Sequence, residues 1–98
     1  MNKVFLTAKI IKPISLIYVG NNIPFAEISL AVDDLVQNKQ KEWETRQDEM
    51  TMEIWRSLAR YAKEEFKVGD FVEVEACLRP KAAGITVEIQ QIKRAINS

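Results

Sequence analysis

Apolar and polar residues alternate along much of this chain, and this alternation predicts β-strands. A first strand is predicted over residues 3–12, where every second residue from Val4 to Ile10 is apolar, and Pro13 ends or bends it. A second apolar run, 14–19, is followed by Gly20-Asn21-Asn22, residues that tolerate the positive φ of a tight turn. Alternation then resumes over 23–32, so these two segments predict a hairpin.

In the middle of the chain, the spacing of the apolar residues changes. Asp33-Asp34 marks the predicted exit of the third strand, and residues 35–49 are polar with no clear period, which indicates a long exposed hairpin arm or loop. A short strand over 51–55 leads into a helix predicted over 57–66, where apolar residues recur every four positions on one stripe. We expect Ser57 to cap this helix.

Gly69 lies just past the end of the predicted helix, where a residue with positive φ is needed. In the next strand, 71–79, alternation places Val72, Val74, Ala76 and Leu78 on the buried face and Cys77 on the outer one. Residues 80–84 turn the chain, and 85–92 form the last strand. The order is three strands, one helix and two strands.

Composition limits the class of protein. The chain has 98 residues, which suits one domain over 1–98, and its formal net charge is zero, so no global positive field attracts nucleic acid. The acidic excess lies in residues 42–75, whereas both ends of the chain are basic. If these ends meet in a closed barrel, they share one weakly positive face.

The residue types present argue against catalysis. There is no histidine, and Glu73 and Glu75 are predicted to be solvent-facing strand residues, so we expect neither an enzyme nor a metal or other cofactor. Cys77 is the only cysteine, which excludes an intrachain disulfide and fits a reducing compartment. No apolar run is long enough to cross a membrane, and the first residues do not resemble a cleaved signal peptide.

Several segments together resemble the bacterial-type single-stranded DNA-binding protein family. The resemblance covers nearly the whole chain in the family's order and spacing, and it is carried by Asn2 to Thr7, Phe25 to Val32, Trp55 to Ala59, Lys67 to Asp70 and Val72 to Arg79. It implies an all-β protein with one helix, a five-stranded Greek-key barrel of the OB-fold type in which the helix lies between strands 3 and 4.

The resemblance also implies a function. It implies binding of single-stranded nucleic acid, DNA rather than RNA, by basic grooves and stacking aromatic rings, in the context of DNA replication and repair. It further implies a homo-oligomer, a dimer or a tetramer, in the cytoplasm or in an organelle of bacterial descent.

This chain departs from the family pattern at several stacking positions. Leu35-Val36 and Glu49-Met50 stand where relatives commonly carry aromatic residues, and residues 80–84 contain no ring. The chain ends at Ser98, so we expect no acidic C-terminal tail for partner recruitment. We therefore expect weak or salt-sensitive binding, and the alternative is an OB-fold protein-interaction or structural subunit that has lost nucleic-acid binding.

The candidate contacts follow from these comparisons. Trp55 matches an aromatic position of the family, and stacking or packing at a barrel rim are equally good readings of it. Trp43 lies among basic residues, where it stacks on bases or packs against a neighbouring subunit, whereas Phe5 favours a core or subunit contact. Phosphate contacts are predicted for Arg56, Lys3, Lys9, Lys12, Arg79 and Lys81, with Lys93 and Arg94 as further candidates.

Overall fold

The computed structural model describes residues 2–96 and contains six β-strands and one α-helix. The elements are β1 (Val4–Ile10), β2 (Ser15–Val19), β3 (Ile23–Gln37), β4 (Trp43–Trp55), α1 (Arg56–Glu65), β5 (Phe71–Lys81) and β6 (Gly84–Arg94). Met1, Asn97 and Ser98 lie outside the described residues, so the expectation about the C-terminal tail falls outside them too.

The strands form a closed five-stranded barrel. The sheet order is β1-β5-β6-β4-β3-β2, and an additional pairing of β1 with β3 closes it. β1 and β2 both run antiparallel to β3, so they act as one barrel strand that bends around Pro13. Counted in this way, α1 lies between the third and fourth barrel strands, as the resemblance implied.

Alternation correctly predicted the buried faces of the first half of the chain. Ala8 and Ile10 point into the core, and β3 buries every second residue from Ala26 to Leu30. Helix α1 covers the barrel with Ala59 and Ala62, and Phe66 follows at its C-terminal cap. Because one face of each strand is buried, the pairing register is strongly specified.

Two turn predictions are confirmed by backbone geometry. Gly20 and Asn22 have φ values of 55° and 61°, and Gly69 has φ 97°. The Gly69 amide donates to the Ile10 carbonyl at 2.8 Å, and the Ile10 amide donates to the Asp70 carbonyl at 2.9 Å. The turn between α1 and β5 is therefore hydrogen-bonded to the end of β1.

The prediction that the third strand ends at Asp33-Asp34 was wrong. β3 and β4 stay paired from Phe25 opposite Trp55 to Gln37 opposite Trp43, so the polar segment is a two-stranded hairpin arm. Most arm residues are exposed on both faces, which removes the period of two from the sequence although the strands continue. At the tip, the Asn38 side chain accepts from the Gln40 and Glu42 amides.

Predictions about the helix start and about β5 also need correction. The helix begins at Arg56, and its N-cap residue is Trp55 with no side-chain cap, so Ser57 is not the cap. Cys77 is buried, whereas Leu78 is 42% exposed. Cys77 keeps its place on the outer face, beside Glu88 of β6, but it is covered there because Gln90 Nε2 donates to its Sγ at 3.3 Å. The extra residue at the register shift against β6 is Gln90, which the pairing of Glu75 with Gln91 and of Ala76 with Ile89 leaves without a partner.

Phe5 does not lie in the core of the chain. It is 67% exposed on the outer side of β1.

No helix among residues 2–96 is long and apolar enough to cross a membrane.

Candidate nucleic-acid interface

The outer face of the β3–β4 hairpin near the helix carries an aromatic pair. Phe25 and Trp55 are directly opposite in the register, and their ring centroids lie 4.4 Å apart at an interplanar angle of 53°. Ile17 is opposite Phe25 on β2 and is 51% exposed, so it extends the apolar row. Bases of a single strand have free faces that stack on such rings.

Trp55 is further positioned by polar contacts. Its indole Nε1 donates to Glu53 Oε1 at 3.3 Å, and Lys81 Nζ lies over the ring at 5.9 Å from the centroid. Lys81 comes from β5, so the site joins the hairpin and the strand that follows the helix. The ring is partly buried, which leaves it both a packing role and an accessible surface.

Phe25 belongs to this site and was not among the residues proposed from sequence. A signal for it was present, because Phe25 shares a strand face with the polar residues Glu27 and Ser29 in the alternation of β3. An aromatic ring on the polar face of a half-buried strand indicates a partner outside the core. Its pairing with Trp55 required the register of β3 against β4.

Arg56 follows Trp55 and is exposed at the start of the helix. Its backbone has φ 62°, in the left-handed region where glycine is favoured. A glycine at this position would adopt the same backbone conformation without strain. Among the described residues Arg56 makes no ion pair, and its guanidinium is available to a phosphate.

The other predicted basic contacts are separated by the fold. Lys3 is bound to Glu75 at 3.0 Å on the outer side of β1 and β5. Lys9 lies at the base of the arm, opposite Ala31, and Lys12 is exposed in the bend between β1 and β2. Neither Lys9 nor Lys12 makes an ion pair within residues 2–96. Trp43 is at the far tip of the arm and is 69% exposed.

The basic ends of the chain do meet, since β1 pairs with β5 and β5 with β6, but most of their charges are neutralised. Arg79 is bound to Glu88 at 3.1 Å and Lys81 to Glu53 at 3.0 Å. Lys93 pairs with Glu73 at 3.5 Å and Arg94 with Asp70 at 3.1 Å. The expected weakly positive face is therefore a surface of ion pairs.

Glu88 also affects the acidity of its partner. The hydrogen bond that the Arg79 guanidinium donates to Glu88 is the largest cause of a raised Arg79 pKa, followed by electrostatic interactions with Cys77 and Glu88. Arg79 therefore stays fully protonated. Among the described residues, no cluster of three or more potential ligand side chains fits a metal ion.

The barrel topology and the partly accessible aromatic pair define a protein of the OB-fold class with a ring-bearing sheet face. The family model of the single-strand binding protein family matches residues 1–88 of the 98-residue chain. The chain therefore belongs to this family. No curated protein sequence is significantly similar to it.

Solved structures share the fold at low sequence identity. A small single-stranded DNA-binding protein from Streptomyces coelicolor has a TM-score of 0.73 at 19% identity, with 98% of this chain and 96% of that chain covered. The SSB domain of a Synechococcus protein has a TM-score of 0.72 at 18% identity, with 96% of each chain covered.

A deletion mutant of the single-stranded DNA-binding protein from Thermus aquaticus has a TM-score of 0.84 at 16% identity. The comparison covers 99% of this chain but 51% of the Thermus aquaticus chain, so this protein spans about half of that length.

Proposed function

We propose that this protein binds single-stranded DNA on the outer face of the β3–β4 hairpin. The observation that carries the proposal is the Phe25–Trp55 ring pair, which is partly accessible on the outer face of the sheet in a member of the single-strand binding protein family. The rings stack on bases, and Arg56 and Lys81 contact the adjacent phosphates. DNA is favoured over RNA because the structural relatives are described as single-stranded DNA-binding proteins.

Binding is proposed to be weak and salt-sensitive. Close to the ring pair, the same face carries the carboxylates of Glu27, Glu49 and Glu53, which repel phosphate. Fewer rings mean that more of the affinity comes from Lys and Arg contacts, and that part falls as salt rises.

We also propose that the chain forms a homo-oligomer, a dimer or a tetramer. Phe5 is exposed beside a groove of about 410 Å³ that is lined by Glu73, Glu75 and Lys93. Two-fold interfaces are formed by self-complementary patches, and this surface carries both signs of charge around a ring. An oligomer places several weak sites on one strand, which raises the overall affinity.

A titration of fluorescent oligo-dT with the protein at low and moderate salt tests the DNA-binding proposal. We expect Trp55→Ala to weaken binding about 5- to 150-fold, because stacking contributes roughly 1–3 kcal/mol per base. Tyr61→Ala, which removes an exposed ring on helix α1, is the matched control and retains wild-type affinity. Absence of binding at micromolar protein in low salt would instead favour the protein-interaction subunit.

Trp43 is proposed as a second stacking position that only a long strand reaches. It lies on the same strand as Trp55, twelve residues away, which is about 40 Å along a strand. In the same titration, we expect Trp43→Ala to weaken binding of an oligonucleotide of about 30 nucleotides and to leave one of about 6 nucleotides unaffected. Equal effects on both lengths would contradict this placement.

A further inference from the structure

A row of carboxylates crosses the proposed DNA face. Glu27 on β3 is opposite Glu53 on β4, and Glu53 is in turn paired in register with Glu88 on β6. Like charges in directly opposite positions destabilise a sheet, so such a row persists only with compensating cations. The compensation is supplied by the hairpin formed by β5 and β6.

Two cations of that hairpin lie over the carboxylates. Lys81 Nζ donates to both Glu53 oxygens at 3.0 Å. Arg79 Nε donates to Glu88 Oε2 at 3.1 Å, and Gln90 Nε2 donates to the same oxygen at 2.8 Å. Both Lys81 and Arg79 are candidate phosphate contacts, yet each is already bound to an anion of the protein.

Carboxylate and phosphate compete for the same donors. Both are anionic oxygen acceptors that form charge-assisted hydrogen bonds with ammonium and guanidinium groups. A DNA phosphate that binds Lys81 must therefore displace Glu53, and one that binds Arg79 must displace Glu88. The displaced carboxylates then face the strand without partners.

The Glu53–Lys81 pair also controls access to the stacking ring. Lys81 is held over the Trp55 ring at 5.9 Å from its centroid while it is bound to Glu53, and Glu53 accepts from the indole nitrogen at 3.3 Å. A phosphate that attracts Lys81 moves the ammonium away from the ring. Capture of the phosphate and exposure of the ring are thereby linked.

We propose that Glu53 and Glu88 are internal competitors of DNA phosphate that set the affinity of this face. The inference rests on the proposed function, since it requires a strand to bind at Trp55. Binding is an exchange of one anion for another at Lys81 and Arg79. Affinity is lower than the number of basic residues suggests. Binding remains salt-sensitive, but Lys81 and Arg79 add less to the salt dependence than two unpaired cations would, because they exchange a carboxylate for a phosphate and release few counterions.

Glutamine substitutions test the exchange. Glu53→Gln and Glu88→Gln keep shape and a hydrogen-bond acceptor but remove the charge, and each is expected to tighten oligo-dT binding about two- to fivefold, as expected for release of an exposed ion pair. The slope of log affinity against log salt is expected to steepen by up to about 0.7 for each freed cation. Glu64→Gln on helix α1 removes the same charge without freeing a paired cation, and it retains wild-type affinity and slope.

A second substitution shows whether the tighter binding of Glu53→Gln depends on Lys81. In a Lys81→Ala background, Glu53→Gln is expected to give no gain, because the competed donor is absent. Thermal unfolding of each variant identifies loss of folding, and Glu88 with Arg79 forms an independent pair for the same test.

The outcomes separate this inference from the proposed function. If the wild type binds through Trp55 while Glu53→Gln and Glu88→Gln bind no more tightly, the exchange is overturned and the proposed function stands. If neither the wild type nor a double variant that carries both Glu53→Gln and Glu88→Gln binds at low salt, both the exchange and the proposed function fail. If only the double variant binds, the internal anions block the face and the inference is supported.

Discussion

At the scale of single residues, Arg56 combines an unfavourable backbone with an exposed charge. Its φ of 62° is unfavourable for a residue with a Cβ, at about 1–2 kcal/mol. The position directly follows Trp55, where the strand ends and the helix begins without a side-chain cap. Strain next to a candidate binding ring is typical of sites where geometry serves function rather than stability.

Arg56→Gly is expected to raise the free energy of unfolding by about 0.5–1 kcal/mol, because relief of the left-handed strain exceeds the entropic cost of glycine. Urea unfolding followed by circular dichroism measures the change. Ser57→Gly, one residue further into the helix, is the matched control and is expected to lose about 0.5–1 kcal/mol. Equal losses in the two variants would show that Arg56 is not strained.

At the scale of elements, the turn that follows helix α1 is attached to β1 and to β6 through Asp70. Its Oδ2 accepts from the Lys67 amide at 3.0 Å and is bound to Arg94 of β6 at 3.1 Å. The backbone hydrogen bond from Lys67 is the largest cause of a lowered Asp70 pKa, and Arg94 adds to it against the opposing effect of burial. The ionised carboxylate therefore stabilises the folded state.

The lowered Asp70 pKa predicts a pH-dependent effect of Asp70→Asn. A carboxyl whose pKa is lower in the folded state stabilises the fold above its unfolded pKa of about 3.9, and this contribution is lost as the pH falls through the folded value. We expect Asp70→Asn to lower the melting temperature at pH 7 and to approach the wild type below about pH 4. Thermal unfolding across this range measures the difference.

Asp34→Asn is the matched control for this element. Asp34 is exposed in β3, and within residues 2–96 its carboxylate makes no side-chain hydrogen bond or ion pair. The melting temperature of the Asp34→Asn variant is expected to equal that of the wild type at every pH. A constant offset of Asp70→Asn from the wild type, independent of pH, would show that the carboxylate charge is not the cause.

At the scale of the whole molecule, the barrel presents two different sheet surfaces. The outer face of β3 and β4 carries the ring pair. The outer side of β1 and of the strand segments beside it carries Phe5, next to the Lys3–Glu75 and Lys93–Glu73 ion pairs. If the first surface binds DNA as proposed, the second is available to contact another copy of the chain. An oligomer formed in this way would place several proposed DNA faces on one strand.

The molar mass of the protein in solution, measured by light scattering, tests the proposed oligomer. We expect a mass of two or four times the 11.3 kDa chain, and Phe5→Asp is expected to shift it towards the single chain by placing a charge in the contact. Ile85→Asp changes an equally exposed apolar residue at the β5–β6 turn and is expected to retain the wild-type mass. A mass of 11.3 kDa at all concentrations would contradict the oligomer.

Family membership of this molecule was correctly recognised from its sequence, but the composition of the proposed binding face was not. Trp55 was proposed because it matches one segment of the family pattern. Phe25 was not proposed, because its contact with Trp55 joins residues that are thirty positions apart along the chain. Several basic residues were proposed as phosphate contacts without the carboxylates that bind them in the fold.

The sequence by itself determined the buried faces of β1 and β3, the helix, and the turns at Gly20 and Gly69, because side-chain alternation and positive φ are local properties of the chain. Only the tertiary structure decided that Leu78 is exposed and that Cys77 is buried, since Gln90 of β6 covers the Cys77 thiol on the outer face. It also decided that Lys81 binds Glu53, because ion pairs between distant residues depend on strand register, which no local pattern encodes.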